Sequence, residues 1–151
     1  MDIQSVVNKL VKQHETRDPF RIAEYLDYII IRVPLTDIRG YYQRIKRNNI
    51  IYLDDSLSDQ DARWVCAHEL GHSLLHQGTN RIFLDTRTLM LTSRFEIEAD
   101  RFAVNLLYSD DDLLNYAGFS LPTVADCLGV SCDIAQYRMN GIKQRQMRGY
   151  V

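Results

Sequence analysis

The sequence predicts an α+β fold with N-terminal helices, then a small, largely antiparallel sheet, then further helices. Three observations support this prediction. Apolar residues recur at helical spacing between Ile3 and Val11, and strong helical patterns return later in the chain. Between these regions, β-branched and aromatic residues are concentrated in 28–33, 40–45 and 49–53, as is typical of strands.

Length and composition limit the class of protein. The chain has 151 residues, enough for one domain (1–151) with a proper core, and 46% apolar and 25% charged residues are ordinary for a globular protein. A net charge of −2 gives no general attraction to nucleic acid or anionic membranes. There is no apolar run near the roughly 18 residues of a membrane span, and no signal pattern. Three cysteines without C-x-x-C spacing argue against a disulfide framework, so we expect a cytoplasmic protein.

Two helices are predicted at the start of the chain. Residues 2–14 carry apolar side chains at i, i+3, i+4, i+7 and i+8, which predicts an amphipathic helix. Asp18 is a typical N-cap, and Pro19 suits the first helical position. A short second helix should therefore open here and extend to about Asp27.

The predicted strands follow as a group. The run 28–33 reads as a strand that Pro34 closes. The runs 40–45 and 49–53 flank the polar residues 46–48, and this arrangement predicts a hairpin.

The predicted central helix begins at Ser58, which is a good N-cap with an acid, Asp61, three residues later. It should extend to about Gln77 and end at Gly78. Residues 79–92 are ambiguous, because their apolar side chains could form a strand or anchor a loop.

The last third of the chain is predicted to be helical. A second strong helical pattern runs from 93 to 108, and the acidic run 109–112 should cap a short helix that ends at Gly118. Together, 109–151 would form a helical C-terminal subdomain of the single domain. Within it, 121–131 and 132–139 have the outline of a helix-turn-helix.

Residues 68–72 read His-Glu-Leu-Gly-His, an H-E-x-x-H motif. On a helix, His68 and His72 share one face and can bind one metal ion, while Glu69 lies about 100° away, where a general base for hydrolysis belongs. The alternative is a helix that carries two surface histidines. The apolar sequence around the motif favours a buried helix, in which histidines need partners. Gly71 suggests that another backbone passes close to it.

A catalytic zinc usually has three protein ligands, so the motif needs one more residue. His76 is the nearest candidate in sequence. It lies eight residues from His68, roughly 12 Å along a straight helix, which is too far for one zinc ion to join them. His76 is therefore expected to support a ligand or to pack.

The acids of the second strong helix are better candidates for the third ligand. On a helical wheel, Glu96 and Asp100 share the inward stripe, whereas Glu98 lies on the polar face and can pair with Arg101. Glu96 is thus the expected ligand, and its alternative role is a capping glutamate for Ser93. Asp100 is well placed to accept a hydrogen bond from the free ring N–H of a ligating histidine. The alternative is that Asp100 is simply an exposed acid on the helix.

Two helix motifs together resemble those of the ImmA/IrrE metallopeptidase family: H-E-L-G-H at 68–72 and E-I-E-A-D-R-F-A at 96–103. The likeness extends back through 40–42 and 50–53 and forward through the helical C-terminal segment, so it covers most of the chain. The resemblance implies a minimal zincin-like fold that contains the H-E-x-x-H helix and a glutamate-bearing helix.

The resemblance also implies roles for single residues. His68, His72 and Glu96 would bind Zn²⁺, Glu69 would be the catalytic base, and Asp100 would orient a ligand. Family members are soluble bacterial or phage zinc proteases, and ImmA-like members cleave a neighbouring helix-turn-helix repressor. The compact length here resembles the ImmA-like members more than the IrrE-like ones. The expected function is therefore a zinc-dependent, gluzincin-like endopeptidase whose partner is a helix-turn-helix repressor. The sequence identifies no substrate-binding residue and no oxyanion stabiliser beyond guesses at Tyr41, Tyr42 and His76.

A rival function from another class is a non-proteolytic regulatory module that binds a repressor, a toxin partner or DNA. The intact Glu69 argues against this rival. The would-be recognition helix offers only Arg138, without the basic cluster that a DNA reader usually shows. DNA binding is therefore not expected, and the C-terminal helices should pack on the rest of the protein or grip a substrate.

Overall fold

The computed structural model of the chain describes residues 2–77 and 86–148. Contacts divide the chain into two compact units, with the boundary between Leu107 and Tyr108. In the described residues, seven helices and three strands form an α+β architecture, as predicted. None of the described helices is both long enough and apolar enough to cross a membrane.

Two short helices open the first unit. Helix α1 (Ile3–His14) begins at Asp2, whose carboxylate accepts hydrogen bonds from the backbone N–H and the hydroxyl of Ser5. Helix α2 (Pro19–Tyr25) begins at Asp18, which accepts from the backbone N–H of Phe20. Both predicted helices are confirmed. The second ends two residues earlier than predicted, because the backbone turns at Asp27, where φ is 61°.

Within the described residues, the sheet has three strands in the order β1-β3-β2: β1 (Ile29–Val33), β2 (Gly40–Ile45) and β3 (Asn48–Asp54). Strands β2 and β3 form the predicted antiparallel hairpin, joined by Lys46 and Arg47. Both turn residues have positive φ, as a tight hairpin turn that follows the strand twist requires. Strand β1 pairs with β3 in parallel, so the sheet is mixed, whereas a largely antiparallel sheet was expected.

Two long helices complete the first unit. Helix α3 (Asp59–Leu75) begins at Ser58, whose hydroxyl accepts from the backbone N–H of Asp61 at 3.2 Å. It ends two residues before the predicted Gln77, and the expected stop at Gly78 lies outside the described residues. Helix α4 (Thr86–Leu107) begins seven residues earlier than predicted and includes Ser93, which is therefore not an N-cap. Of the ambiguous stretch 79–92, residues 79–85 are likewise outside the described part of the chain.

Helix α3 is the centre of the first unit, as its apolar sequence predicted. It packs between the sheet on one side and α4 on the other. At Gly40 in β2, an added Cβ would lie 2.7 Å from Cγ1 of Val65, so the sheet can approach α3 closely only with glycine there. The core cluster that these contacts build consists of Ile3, Val7, Ile22, Ile51, Leu53, Val65, Cys66, Ala67, Leu70, Phe102, Ala103 and Leu106.

Gly71 explains how α3 and α4 meet. A Cβ at Gly71 would lie 2.9 Å from Cδ1 of Phe102, a buried residue of α4. The sequence predicted that another backbone passes close to Gly71. The nearest atoms belong to the Phe102 side chain, whose own Cβ lies 3.0 Å from the added Cβ, so α4 does approach closely here. The glycine lets α4 lie close to the face of α3 that carries the motif.

The part of the second unit that is described, 108–148, contains three helices: α5 (Asp110–Leu114), α6 (Leu121–Leu128) and α7 (Cys132–Arg148). A capping box between Ser109 and Asp112 opens α5, which ends four residues before the predicted Gly118. Gly129 ends α6 with φ of 69°. Helices α6 and α7 lie in the two segments predicted to be helical, and α7 extends nine residues beyond the predicted end at 139. The buried side chains of the pair include Val124, Leu128, Ile134 and Ile142.

Candidate metal centre

Helix α3 places the H-E-x-x-H motif in a largely buried environment. The His72 side chain is 1% exposed and that of His68 is 14% exposed. Glu69 is also buried. One donor atom from each of these three residues lies within 4.8 Å of the others. The i, i+4 spacing causes this convergence, because residues four apart lie one above the other on a helix. A helix carrying two surface histidines is therefore excluded.

Glu96 of α4 completes a compact set of donor atoms. Its Oε2 lies 2.9 Å from Nε2 of His68, and its Oε1 lies 2.9 Å from Nε2 of His72. The two histidine Nε2 atoms are 3.0 Å apart. Two ring nitrogens and two carboxylate oxygens therefore face one another across the gap between α3 and α4. Because Ser93 lies inside α4, a capping role of Glu96 toward Ser93 has no structural basis.

This donor set suits a small divalent cation. Ligand atoms about 2.0–2.1 Å from a tetrahedral zinc ion lie about 3.3 Å from each other, close to the separations found here. Imidazole nitrogens and a carboxylate are also the chemistry that zinc accepts. A third ligand on a separate helix is what the motif needs, since His68 and His72 supply only two.

The electrostatics of the site favour positive charge. Burial lowers the pKa of His68, but hydrogen bonds to Asp100 and Glu96 raise it by more, to about 9. The same contacts with His68 and His72 hold the pKa of Glu96 far below its ordinary value. A carboxylate must be ionised to bind a metal, and the contacts with the two imidazoles keep Glu96 in that form.

Asp100 contacts the other nitrogen of a candidate ligand. Its Oδ1 lies 2.8 Å from Nδ1 of His68. A carboxylate in this place accepts the Nδ1–H of the ring, which leaves the Nε2 lone pair directed at Glu96 and His72. Asp100 is thus no isolated exposed acid, and the structure brings it to the site as the helical wheel indicated.

The prediction for Glu98 was wrong. This residue was expected on a solvated face beside Arg101, yet its side chain is only 15% exposed. Its carboxylate contacts Nε of Arg94 at 3.1 Å and lies 3.6 Å from Nε2 of His76. Sequence reasoning did not join His76 to Glu98, although His76 lies four residues after His72 and so shares its helix face.

Cys66, two residues before His68, and the two tyrosines named above have environments of their own. Burial raises the pKa of the Cys66 thiol to about 12, so it stays protonated and behaves as a small core residue. Tyr42 donates its hydroxyl to Oδ1 of Asn49 at 2.5 Å, and the Tyr41 ring stacks on Tyr52.

Comparison with known proteins gives the identity of the family. The model of a peptidase family, described as IrrE N-terminal-like domain, matches residues 23–140. The "Uncharacterized immunity region protein 2" of Bacillus phage phi105 is 34% identical over 139 residues, covering 90% of this chain and 88% of that protein. The "Metallopeptidase ImmA" of Bacillus subtilis (strain 168) is 28% identical over 155 residues, covering 98% and 90%.

The family model and the α+β architecture therefore indicate a metallopeptidase with a zincin-like fold, and the cluster of His68, Glu69 and His72 is compatible with a metal ion. The chain belongs to the ImmA/IrrE family of metallopeptidases. Its sequence resemblance to that family is thereby confirmed.

Proposed function

We propose that this chain is a zinc-dependent endopeptidase in which His68, His72 and Glu96 bind the metal. The observation that carries the proposal is the convergence of four donor atoms from these residues at 2.9–3.0 Å. Zinc, when bound there, would polarise the scissile carbonyl and lower the pKa of a water molecule.

The residues around the metal divide the remaining work. Glu69 would take a proton from the attacking water and later deliver it to the leaving amine. This role is supported by its burial and by one of its carboxylate oxygens, which lies within 4.8 Å of a ring nitrogen of each motif histidine. Asp100 would hold His68 in the tautomer whose Nε2 carries the lone pair.

An extended peptide could bind along the sheet. Among residues 2–77 and 86–148, β2 pairs with β3 alone and so lies at an edge of the sheet, and α3 packs against both strands. A substrate strand that pairs with such an edge gains main-chain hydrogen bonds, and side-chain pockets then set specificity. The substrate-binding residues themselves stay unassigned.

The proposed substrate is a helix-turn-helix transcriptional repressor of a phage or mobile element, whose cleavage would relieve repression. Two observations support it. One relative is named for the immunity region of a phage and another is named a metallopeptidase. Such a repressor acts in the bacterial cytoplasm, so the proposal places this chain there as well.

Direct DNA binding by the chain has less support. Arg138, the basic residue of the predicted recognition helix 132–139, is 1% exposed. It donates a hydrogen bond to the backbone carbonyl of Tyr108 and pairs with Asp110 at 2.7 Å. A guanidinium engaged in this way inside the second unit does not reach a base edge.

The test is cleavage of the repressor encoded nearest to the gene, with zinc-loaded protein and fragment identification by mass spectrometry. Glu69→Gln should lower the rate by about a thousandfold, because it removes the general base but none of the three ligands. Zinc content should be unchanged. Glu24→Gln, at an exposed position of α2, is the matched control and should cleave normally.

A discrete cut by the unmodified protein and by Glu24→Gln, absent with Glu69→Gln, supports the peptidase. An uncut repressor that co-purifies with all three proteins would instead support a non-proteolytic binding module.

A further inference from the structure

The two histidines of the motif are supported by different partners. Nδ1 of His68 faces a carboxylate, Asp100, at 2.8 Å. Nδ1 of His72 faces another imidazole, with Nδ1 of His76 at 3.0 Å. A histidine that binds a metal through Nε2 needs an acceptor at Nδ1, so His76 occupies the position that Asp100 fills for His68.

His76 is held firmly in this position. It is the C-cap residue of α3, and its side chain is 4% exposed. Its ring packs on Phe95 of α4, with the ring centroids 4.2 Å apart. Glu98, one turn after Arg94 on α4, lies near the other ring nitrogen of His76. Its Oε2 is 3.6 Å from Nε2 of His76.

Metal binding by His72 would determine which ring nitrogen of each histidine carries the proton, and so which one donates. When Nε2 of His72 binds a cation, the ring proton of His72 is on Nδ1, and this N–H can donate only to a bare nitrogen. Nδ1 of His76 must then be the acceptor, and the proton of His76 is on Nε2. Nε2 then lies 3.6 Å from Oε2 of Glu98, whose negative charge stabilises the N–H electrostatically.

We propose that His76, backed by Glu98, is a positioning residue that holds the His72 imidazole with Nε2 directed at the metal. This inference rests on the proposed zinc centre and adds to it the support of the second histidine. His76 itself binds no metal: its Nδ1 faces a ligand nitrogen and its Nε2 faces Glu98.

A purely structural role for His76 makes different predictions. If the residue only packs on Phe95 and ends α3, an aromatic ring of similar size should replace it without loss. If it accepts a hydrogen bond, His76→Phe should fail, and His76→Gln should succeed in part because its amide oxygen can accept from Nδ1 of His72. The two variants therefore rank in opposite order under the two explanations.

The experiment measures zinc affinity by competition with a chromophoric chelator, the visible spectrum of the Co²⁺-loaded protein, and the unfolding midpoint of metal-free protein. For His76→Phe we expect zinc affinity to fall about 10- to 100-fold, an altered cobalt spectrum, and a nearly unchanged midpoint. His76→Gln should stay within about threefold of the unmodified protein. Glu98→Gln, which keeps size but removes charge, should show a loss intermediate between the two.

Each result has a definite meaning. Zinc binding by His76→Phe equal to that of the unmodified protein, or a larger loss in His76→Gln than in His76→Phe, overturns the positioning role and leaves the metal centre intact. Absence of zinc binding by the unmodified protein overturns the proposed function itself. If His76→Phe does not fold, the comparison of His76→Gln and Glu98→Gln with the unmodified protein still decides. Tight zinc binding by His76→Gln and weaker zinc binding by Glu98→Gln supports the positioning role, and the reverse order refutes it.

Discussion

Each compact unit contains a cluster of polar side chains, and the two clusters are built differently. In the first unit, Nε2 of His68, Nε2 of His72 and both carboxylate oxygens of Glu96 face one another at 2.9–3.0 Å. In the second unit, the Asp110 carboxylate accepts two hydrogen bonds from Arg145, each at 2.7 Å, and it also pairs with Arg138. The first cluster brings lone-pair atoms together, whereas the second pairs donors with an acceptor.

The difference shows which buried charges indicate function. A carboxylate between guanidinium groups is already satisfied, so it needs nothing from outside the chain and serves stability. Imidazole nitrogens and carboxylate oxygens that face one another require protons or a cation between them. The shifted pKa values of Glu96 and Asp110 do not separate the two cases, because both are lowered. The two clusters differ in the atoms that face one another: acceptor atoms around Glu96, and donors with an acceptor around Asp110.

The strongest test of this comparison is metal binding. Glu96→Gln should weaken zinc affinity by at least about a hundredfold, because an amide replaces one of three anionic or imidazole ligands. Asp110→Asn removes a carboxylate of similarly lowered pKa and should leave zinc affinity unchanged. Competition with a chromophoric chelator measures both. Equal losses in the two variants would contradict the distinction between the clusters.

Much of the fold could be predicted because local signals and packing agree. The caps Asp18 and Ser58 mark real helix starts, and the periodicity of 2–14 corresponds to α1. The parallel pairing of β1 with β3 could not be predicted, since strand order depends on long-range contacts that a single run such as 28–33 does not encode. The early start of α4 was missed because Ser93 looks like an N-cap but lies within the helix.

At the candidate site, helical geometry was the useful signal. The i, i+4 spacing and the wheel of α4 pointed to the residues that the structure brings together, His68, His72, Glu96 and Asp100. The wheel failed for Glu98 because it assumes a single inward face. Helix α4 meets the end of α3 as well as its middle, and His76 at that end reaches a second face of α4.

The second test measures stability. Here the change at Asp110 is the one that we expect to have an effect. Asp110→Asn should lower the free energy of unfolding by about 1–2 kcal/mol, because the buried Arg138 guanidinium loses its negative partner. Asp110 is partly exposed, so water screens part of the effect and keeps it at the low end of values for buried pairs. Urea denaturation followed by far-ultraviolet circular dichroism measures it. Asp111→Asn, at the exposed neighbouring acid in the same helical turn, is the matched control and should change the free energy by less than about 0.5 kcal/mol. A loss in the control as large as in Asp110→Asn would point to helix capping as the cause.

The smallest expected effect is the pH dependence of that same difference. Burial raises the pKa of Asp110, but hydrogen bonds from Arg145 and Arg138 lower it by more, so its pKa in the folded protein lies below the ordinary 3.8. A group whose folded pKa is lowered stabilises the protein above its unfolded pKa, and this contribution is lost as the pH falls through the folded value.

The gap in unfolding free energy between the unmodified protein and Asp110→Asn should therefore be the same at about pH 7 and about pH 5, and should shrink below about pH 4. Urea denaturation of the two proteins side by side at each pH measures it. A gap that widens in acid would mean that Asp110 is held as the neutral acid in the folded protein. The contrast between the Asp110 and Glu96 clusters would then fail, because Asp110 would not be an ionised carboxylate paired with arginine.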